Sequence, residues 1–264
     1  MSKNHPVLRI NDLTTGYGSR VVSSHIHATL QPGELVSLLG SNGVGKSTLL
    51  RTLSVSLPPI DGDVYLDEKP LSCLTDAERS RMISIVLTER VDARSMTVQE
   101  LVGMGRSPYT GFWGGMDKDD LRLVQEAMNQ VGISSLGHRY VHTLSDGERQ
   151  KVMIAKSLAQ QTPVILLDEP TAFLDFPSKV EVMRLLRNLA QEMHKIIFLS
   201  THDVDIALQL SHRIWLMTSQ EIITGTTKEL TENGTLSRFI QSPGIRFDEG
   251  RQMFLVHFAV WQRI

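Results

Sequence analysis

The sequence predicts an α/β fold, a mainly parallel β-sheet covered on both faces, with a helical segment inserted near its middle. Three observations predict it. Short apolar runs at Leu35–Leu39, Val164–Leu167, Ile196–Ser200 and Ile214–Met217 alternate with helical stretches, the pattern of a sheet whose strands are buried on both sides. The first of these runs ends in a glycine-rich loop that leads into a helix. Between Thr97 and Ala159 the periodicity becomes mainly helical, as an inserted lobe requires.

The elements follow in order. Val7–Ile10 and Val21–Leu30 read as N-terminal antiparallel strands around the turn Tyr17-Gly18-Ser19, and Gln31-Pro32-Gly33 as a further turn. Leu35–Leu39 is the strand before the loop, and a helix begins at Ser47–Leu53. Val64–Leu66 and Ile83–Leu87 are strand-like; Thr97–Met104 and Asp117–Val131 are amphipathic helices separated by the Gly- and Pro-containing loop Ser107–Gly115. Beyond Ile240, Ile245–Phe247 and Met253–Phe258 suggest a hairpin across Asp248–Arg251. The expected organisation is one unit over residues 1–240, with the helical lobe at about 90–160, and a packing appendage over 241–264.

Composition narrows the function. The chain has 264 residues, 41% hydrophobic and 21% charged, enough for a sizeable core. Lys plus Arg is 27 and Asp plus Glu is 29, a net charge of −2 that argues against a free-standing nucleic-acid binder. Cys73 is the single cysteine, so no internal disulfide forms, which fits a reducing cytoplasm. The N-terminus lacks a secretory apolar region, and the apolar runs are far shorter than a membrane span.

The loop Gly40-Ser41-Asn42-Gly43-Val44-Gly45-Lys46-Ser47 has the spacing of a phosphate-binding loop. Its glycines let successive N–H groups turn toward phosphate oxygens, and the helix that follows adds its positive N-terminal end. In this reading Lys46 reaches the β- and γ-phosphates of ATP, the Ser47 hydroxyl binds magnesium, and Thr48 supports the α- and β-phosphates. A chance glycine-rich turn is the competing reading, but this one stands between an apolar strand and a helix, where the chemistry needs it.

Val164–Leu167 runs into Asp168 and Glu169. At the carboxyl end of a strand, Asp168 would hold the magnesium shell and Glu169 would act as general base toward water. Alone, the pair could be two solvated acids. His202 closes another apolar run and is placed to touch a γ-phosphate; the remaining histidines have no metal-ligand spacing. These features specify a P-loop NTPase (RecA-like) core.

Leu144-Ser145-Asp146-Gly147-Glu148-Arg149-Gln150, shortly before the acidic strand, resembles the signature of ABC transporter ATPases, usually LSGGQ. Thr171-Ala172-Phe173-Leu174-Asp175 resembles their D-loop, and Tyr17 stands where that family stacks an aromatic on adenine. The motifs occur in family order. The resemblance implies an inserted helical ABC subdomain and a homodimer with composite ATP sites, in which Ser145 and the Gly147 backbone of one subunit reach the nucleotide on the other. It also implies transmembrane permease partners at the cytoplasmic face of the membrane. A narrower likeness concerns Thr97–Tyr109, TVQELVGMGRSPY. It is similar to ATPases that power iron–siderophore, haem and cobalamin importers, which work with an extracytoplasmic substrate-binding protein. Ser145 with Glu148 also reads as a helix capping box, and both readings hold together.

The chain departs from the family at Asp146 and Glu148, in place of the usual glycine and glutamine, and after Ile83–Leu87, where glutamine is usual and Thr88 and Glu89 stand. Thr88 or Glu89 could approach magnesium, or water could take the site. Two other readings are an ABC ATPase serving DNA repair or translation, and a nucleotide-binding scaffold without catalysis. The single cassette and single cysteine weigh against the first; Lys46, Glu169 and His202 weigh against the second.

Overall fold

The computed structural model describes residues 5–88, 93, 95–110, 115–240, 245–248, 250–251 and 253–256. The chain begins with the strands β1 (Leu8–Tyr17), β2 (Arg20–Leu30) and β3 (Leu35–Gly40), then helix α1 (Lys46–Leu53), β4 (Asp61–Leu66), β5 (Lys69–Pro70), α2 (Asp76–Ser80) and β6 (Ile83–Val86). Three helices follow, α3 (Val98–Gly103), α4 (Lys118–Gln130) and α5 (Asp146–Ala159). Alternation then resumes with β7 (Val164–Asp168), α6 (Phe176–Met193), β8 (Ile196–Thr201), α7 (Val204–Leu210), β9 (Arg213–Met217) and β10 (Ile222–Gly225). Helices α8 (Thr227–Glu232) and α9 (Thr235–Phe239) and the hairpin β11 (Ile245–Asp248) and β12 (Met253–Val256) complete the described chain.

β1, β2, β4 and β5 form an antiparallel sheet, ordered β2-β1-β4-β5. β1 is longer than its apolar start suggests. Asp12 (φ 50°) and His25 (φ 54°) interrupt the pairing with β2, and the register shifts between Ile10 and Leu13. These irregularities break the apolar alternation while the strand continues to Tyr17.

The larger sheet is ordered β10-β9-β3-β8-β7-β6, with β10 antiparallel to β9 and the other pairs parallel. Every residue of β7 and β8 is buried, as strands covered on both faces must be. One apolar layer joins this sheet to α1 and the antiparallel sheet through residues such as Leu38, Leu49, Leu53 and Phe198. On the opposite face Ile165, Ile197 and Leu186 share a continuous core with Val98, Leu101, Val124 and Ile154 of the helical segment. A third cluster joins Leu39, Ala207, Leu208 and Leu216 to Phe247 of the hairpin. Each fully buried leucine or isoleucine contributes about 1.5–3 kcal/mol. No helix among the described residues is long and apolar enough to cross a membrane.

Candidate functional site: a phosphate loop facing two carboxylates

Parallel register assembles the site. Leu39 pairs with Thr201, and Asp168 pairs with Ser200. The next residues along each strand, Gly40, His202 and Glu169, therefore emerge together at the carboxyl edge of the sheet.

The loop after β3 needs glycine at specific points. Gly45 has φ 120°, and a Cβ there would lie 2.2 Å from Val22 Cγ1. A Cβ on Gly40 would come within 2.9 Å of the Met217 carbonyl oxygen. Lys46, at the start of α1, is buried, and its Nζ donates to the carbonyls of Gly40 (2.9 Å) and Ser41 (3.3 Å). Ser47 is exposed on the first turn of α1. A cleft of about 670 Å³ is lined by residues 40–44, His202, Thr218 and Ser219. Tyr17 does not line it; half exposed, its hydroxyl accepts from Thr48 Oγ1 at 3.4 Å.

Glu169 sits at φ 50°, a left-handed backbone conformation that costs a side-chain-bearing residue free energy and clusters at functional sites. Its N–H donates to Ser200 Oγ (3.0 Å), and that hydroxyl donates to Asp168 Oδ1 (2.6 Å). Ser200 thus orients both acids, a role the sequence hides because Ser200 ends an otherwise apolar run. Glu169 Oε1 is 2.8 Å from His202 Nε2 and 3.7 Å from Lys46 Nζ. Burial pushes the Glu169 carboxyl above the usual carboxylate range, opposed by the charges of His202 and Lys46. Burial likewise lowers Lys46, opposed by Glu169. A carboxylate made more basic by burial, beside a buried cation, is suited to proton transfer from water.

Asp203 locks the segment after His202. It accepts from Thr171 Oγ1 and Lys179 Nζ, both at 2.6 Å. Thr88 turns its hydroxyl proton to the Asp168 carbonyl oxygen (2.8 Å); Glu89 lies outside the described residues. Ser145 caps α5 in a capping box with Glu148. No hydrogen bond or ion pair among the described residues joins Ser145 or Gly147 to the phosphate loop. Asp146 lies 3.9 Å from Arg149, paired within its own helix.

The donor set fits ATP with magnesium. The loop is a backbone cradle that side chains would fill, and Ser47 and Asp168 supply the oxygen donors magnesium prefers. Among the described residues no group of three or more His, Cys, Asp or Glu could hold a metal, so phosphate oxygens and water must complete any such site.

Residues 23–172 match the model of the ABC transporter family. An uncharacterized ABC transporter ATP-binding protein of Methanocaldococcus jannaschii is 39% identical over 217 residues, 82% of this chain and 75% of that one. The ferric enterobactin transport ATP-binding protein of Escherichia coli is 35% identical over 239 residues, 90% of this chain and 88% of that one. A solved ATP-binding cassette in a dimeric post-hydrolysis state, bound to ADP and Pi, superposes with a TM-score of 0.70 at 26% identity, covering 83% of this chain and 98% of that one.

Proposed function

The chain belongs to the ABC transporter family and is an ATP-binding ATPase subunit, and on that premise we propose that it energises import of a ferric siderophore or a similar metal chelate. The juxtaposition of Glu169, His202 and Lys46 at one sheet edge carries the hydrolytic part of the proposal. The relative named for ferric enterobactin transport, matched over 90% of this chain, supports the cargo.

In this reading the backbone of residues 40–45 cradles the phosphates, Lys46 neutralises charge on the transferred group, and Thr48 and Tyr17 hold the nucleotide beyond it. Ser47 and Asp168 would hold magnesium, which would supply neutralisation of phosphate charge. Glu169 takes the proton of the attacking water, and His202 positions the Glu169 carboxylate and contacts the γ-phosphate. Ser145 and Gly147 act on the nucleotide of a second copy. Gly147 supports this: a Cβ there would meet nothing nearer than Ser178 Oγ at 3.5 Å, so the chain's own fold does not require glycine. Phe173 and Phe176, 75% and 68% exposed beside the site, give the second copy an apolar surface to cover. The chain works peripherally at the cytoplasmic face of the membrane, against permease subunits and with an extracytoplasmic binding protein.

Glu169→Gln should retain ATP affinity and stall hydrolysis, so that ATP with magnesium holds the variant as a dimer in size-exclusion chromatography. Ordinary turnover by the variant would overturn the base assignment. Deleting the gene should abolish uptake of one ferric chelate; unchanged uptake of siderophore-bound iron, haem and cobalamin would overturn the cargo.

A further inference from the structure

Behind the two carboxylates lies a cavity of about 70 Å³ between β7 and α5, lined among others by Thr88, Asp168, Glu169, Arg149 and Gln150. It is well above the roughly 15 Å³ that one water needs. Three of its lining residues carry buried polar atoms without a hydrogen-bond partner: Arg149 Nε, Gln150 Nε2 and Glu169 Oε1. Glu169 Oε1 has its 2.8 Å approach to His202 without hydrogen-bond alignment. The two nitrogens each cost about 1–3 kcal/mol unless something in the cavity satisfies them, while the carboxylate oxygen, in ionic contact with His202 and Lys46, keeps acceptor capacity to spare.

The three atoms are chemically complementary. Two are N–H donors and one is a carboxylate acceptor. A water molecule accepts two hydrogen bonds and donates two, so one water, or a short chain, can accept hydrogen bonds from Arg149 and Gln150 and donate one to Glu169. Thr88 does not compete, since its hydroxyl proton is committed to the Asp168 carbonyl.

We infer that this cavity is a structural water site through which Gln150 and Arg149, on the helix that begins at the signature, position the Glu169 carboxylate. Gln150 is then a positioning residue. It ties the hydrolytic acid to α5, the helix whose N-terminus carries Ser145 and Gly147. The inference rests on Glu169 acting as the base. The link to the acid pair thus comes from α5 through water, while Thr88, at the edge after β6, bonds the Asp168 backbone.

A crystal structure of the full chain, at a resolution that orders solvent, tests the site directly. Water within hydrogen-bonding distance of Arg149 Nε, Gln150 Nε2 and Glu169 Oε1 is expected; a dry or collapsed cavity overturns the inference. Kinetics test the role. Gln150→Leu should lower kcat about tenfold, the scale of a slightly misplaced catalytic group, with KM for ATP unchanged. Gln150→His, which keeps an N–H donor, should recover part of the loss. If Gln150→Leu does not fold, Arg149→Lys, which keeps the charge but not Nε, should lower kcat in the same way. Glu169→Gln is the control. Should it hydrolyse ATP normally, the functional reading itself fails. Should it stall while Gln150→Leu retains full kcat, only the positioning role is overturned.

Discussion

Lys195 shows what one buried residue does to stability. It stands before β8, 7% exposed, with Nζ donating to the Thr162 carbonyl oxygen at 2.6 Å. Burial lowers its ammonium from 10.5 to about 8. The sign follows from proton counting: between about pH 8 and 10.5 the unfolded chain holds a proton that the folded chain has released, so stability rises with pH through that window. At about 1.4 kcal/mol per pH unit the rise is on the order of 3 kcal/mol. Lys195→Met keeps the length and removes the charge. Urea unfolding should show the variant more stable than the wild type at neutral pH and without the alkaline rise. An identical pH dependence in the two proteins would show that Lys195 is not its source.

At the scale of elements, Arg106 joins three helices. It lies in the 3₁₀ turn that follows α3, its Nε donates to Asp120 in the first turn of α4 (2.8 Å), and its Nη1 donates to the carbonyl of Ala159 at the end of α5 (2.7 Å). Both charged groups are buried, and the Tyr109 ring centroid lies 4.0 Å from the guanidinium. Arg106→Ala removes the charge partner of the buried Asp120 and leaves it the Asp117 N–H of the α4 capping box, so a loss of about 3 kcal/mol is expected in denaturant unfolding. A loss below about 1 kcal/mol would mean that the helices hold together without this link. Other elements differ in how far the sequence marks their boundaries. β7 and β8 were legible because they are wholly buried and their apolar runs are nearly unbroken. The apolar pattern marks β1 only to Ile10, because Asn11, Asp12 and the following threonines hide a strand bent by a bulge. Helix α3 ends at Gly103, and its periodic pattern runs on into a 3₁₀ turn that composition does not distinguish.

At the scale of the whole molecule, the phosphate loop, the Asp168–Glu169 pair and His202 were legible because each is a contiguous motif at a strand end. Ser200, Arg149 and Gln150 were not, because their roles depend on register and on a cavity shared by distant segments. Gly147 lies between these cases. The resemblance singles it out, yet the fold of one chain gives it no steric reason. It stands in the first turn of α5, where alanine is the better helix former by up to about 1 kcal/mol. The two scales therefore predict opposite signs. Gly147→Ala should leave Tm unchanged or raise it. In the Glu169→Gln background it should weaken ATP-driven dimerisation about tenfold or more, because in the proposed dimer the added methyl would stand where the nucleotide held by the second subunit approaches this helix end. Thermal unfolding and ATP-dependent size-exclusion chromatography on the same protein separate these effects. A variant that is destabilised and dimerises normally would place the demand for glycine inside the monomer, and remove the argument that this helix end serves another chain.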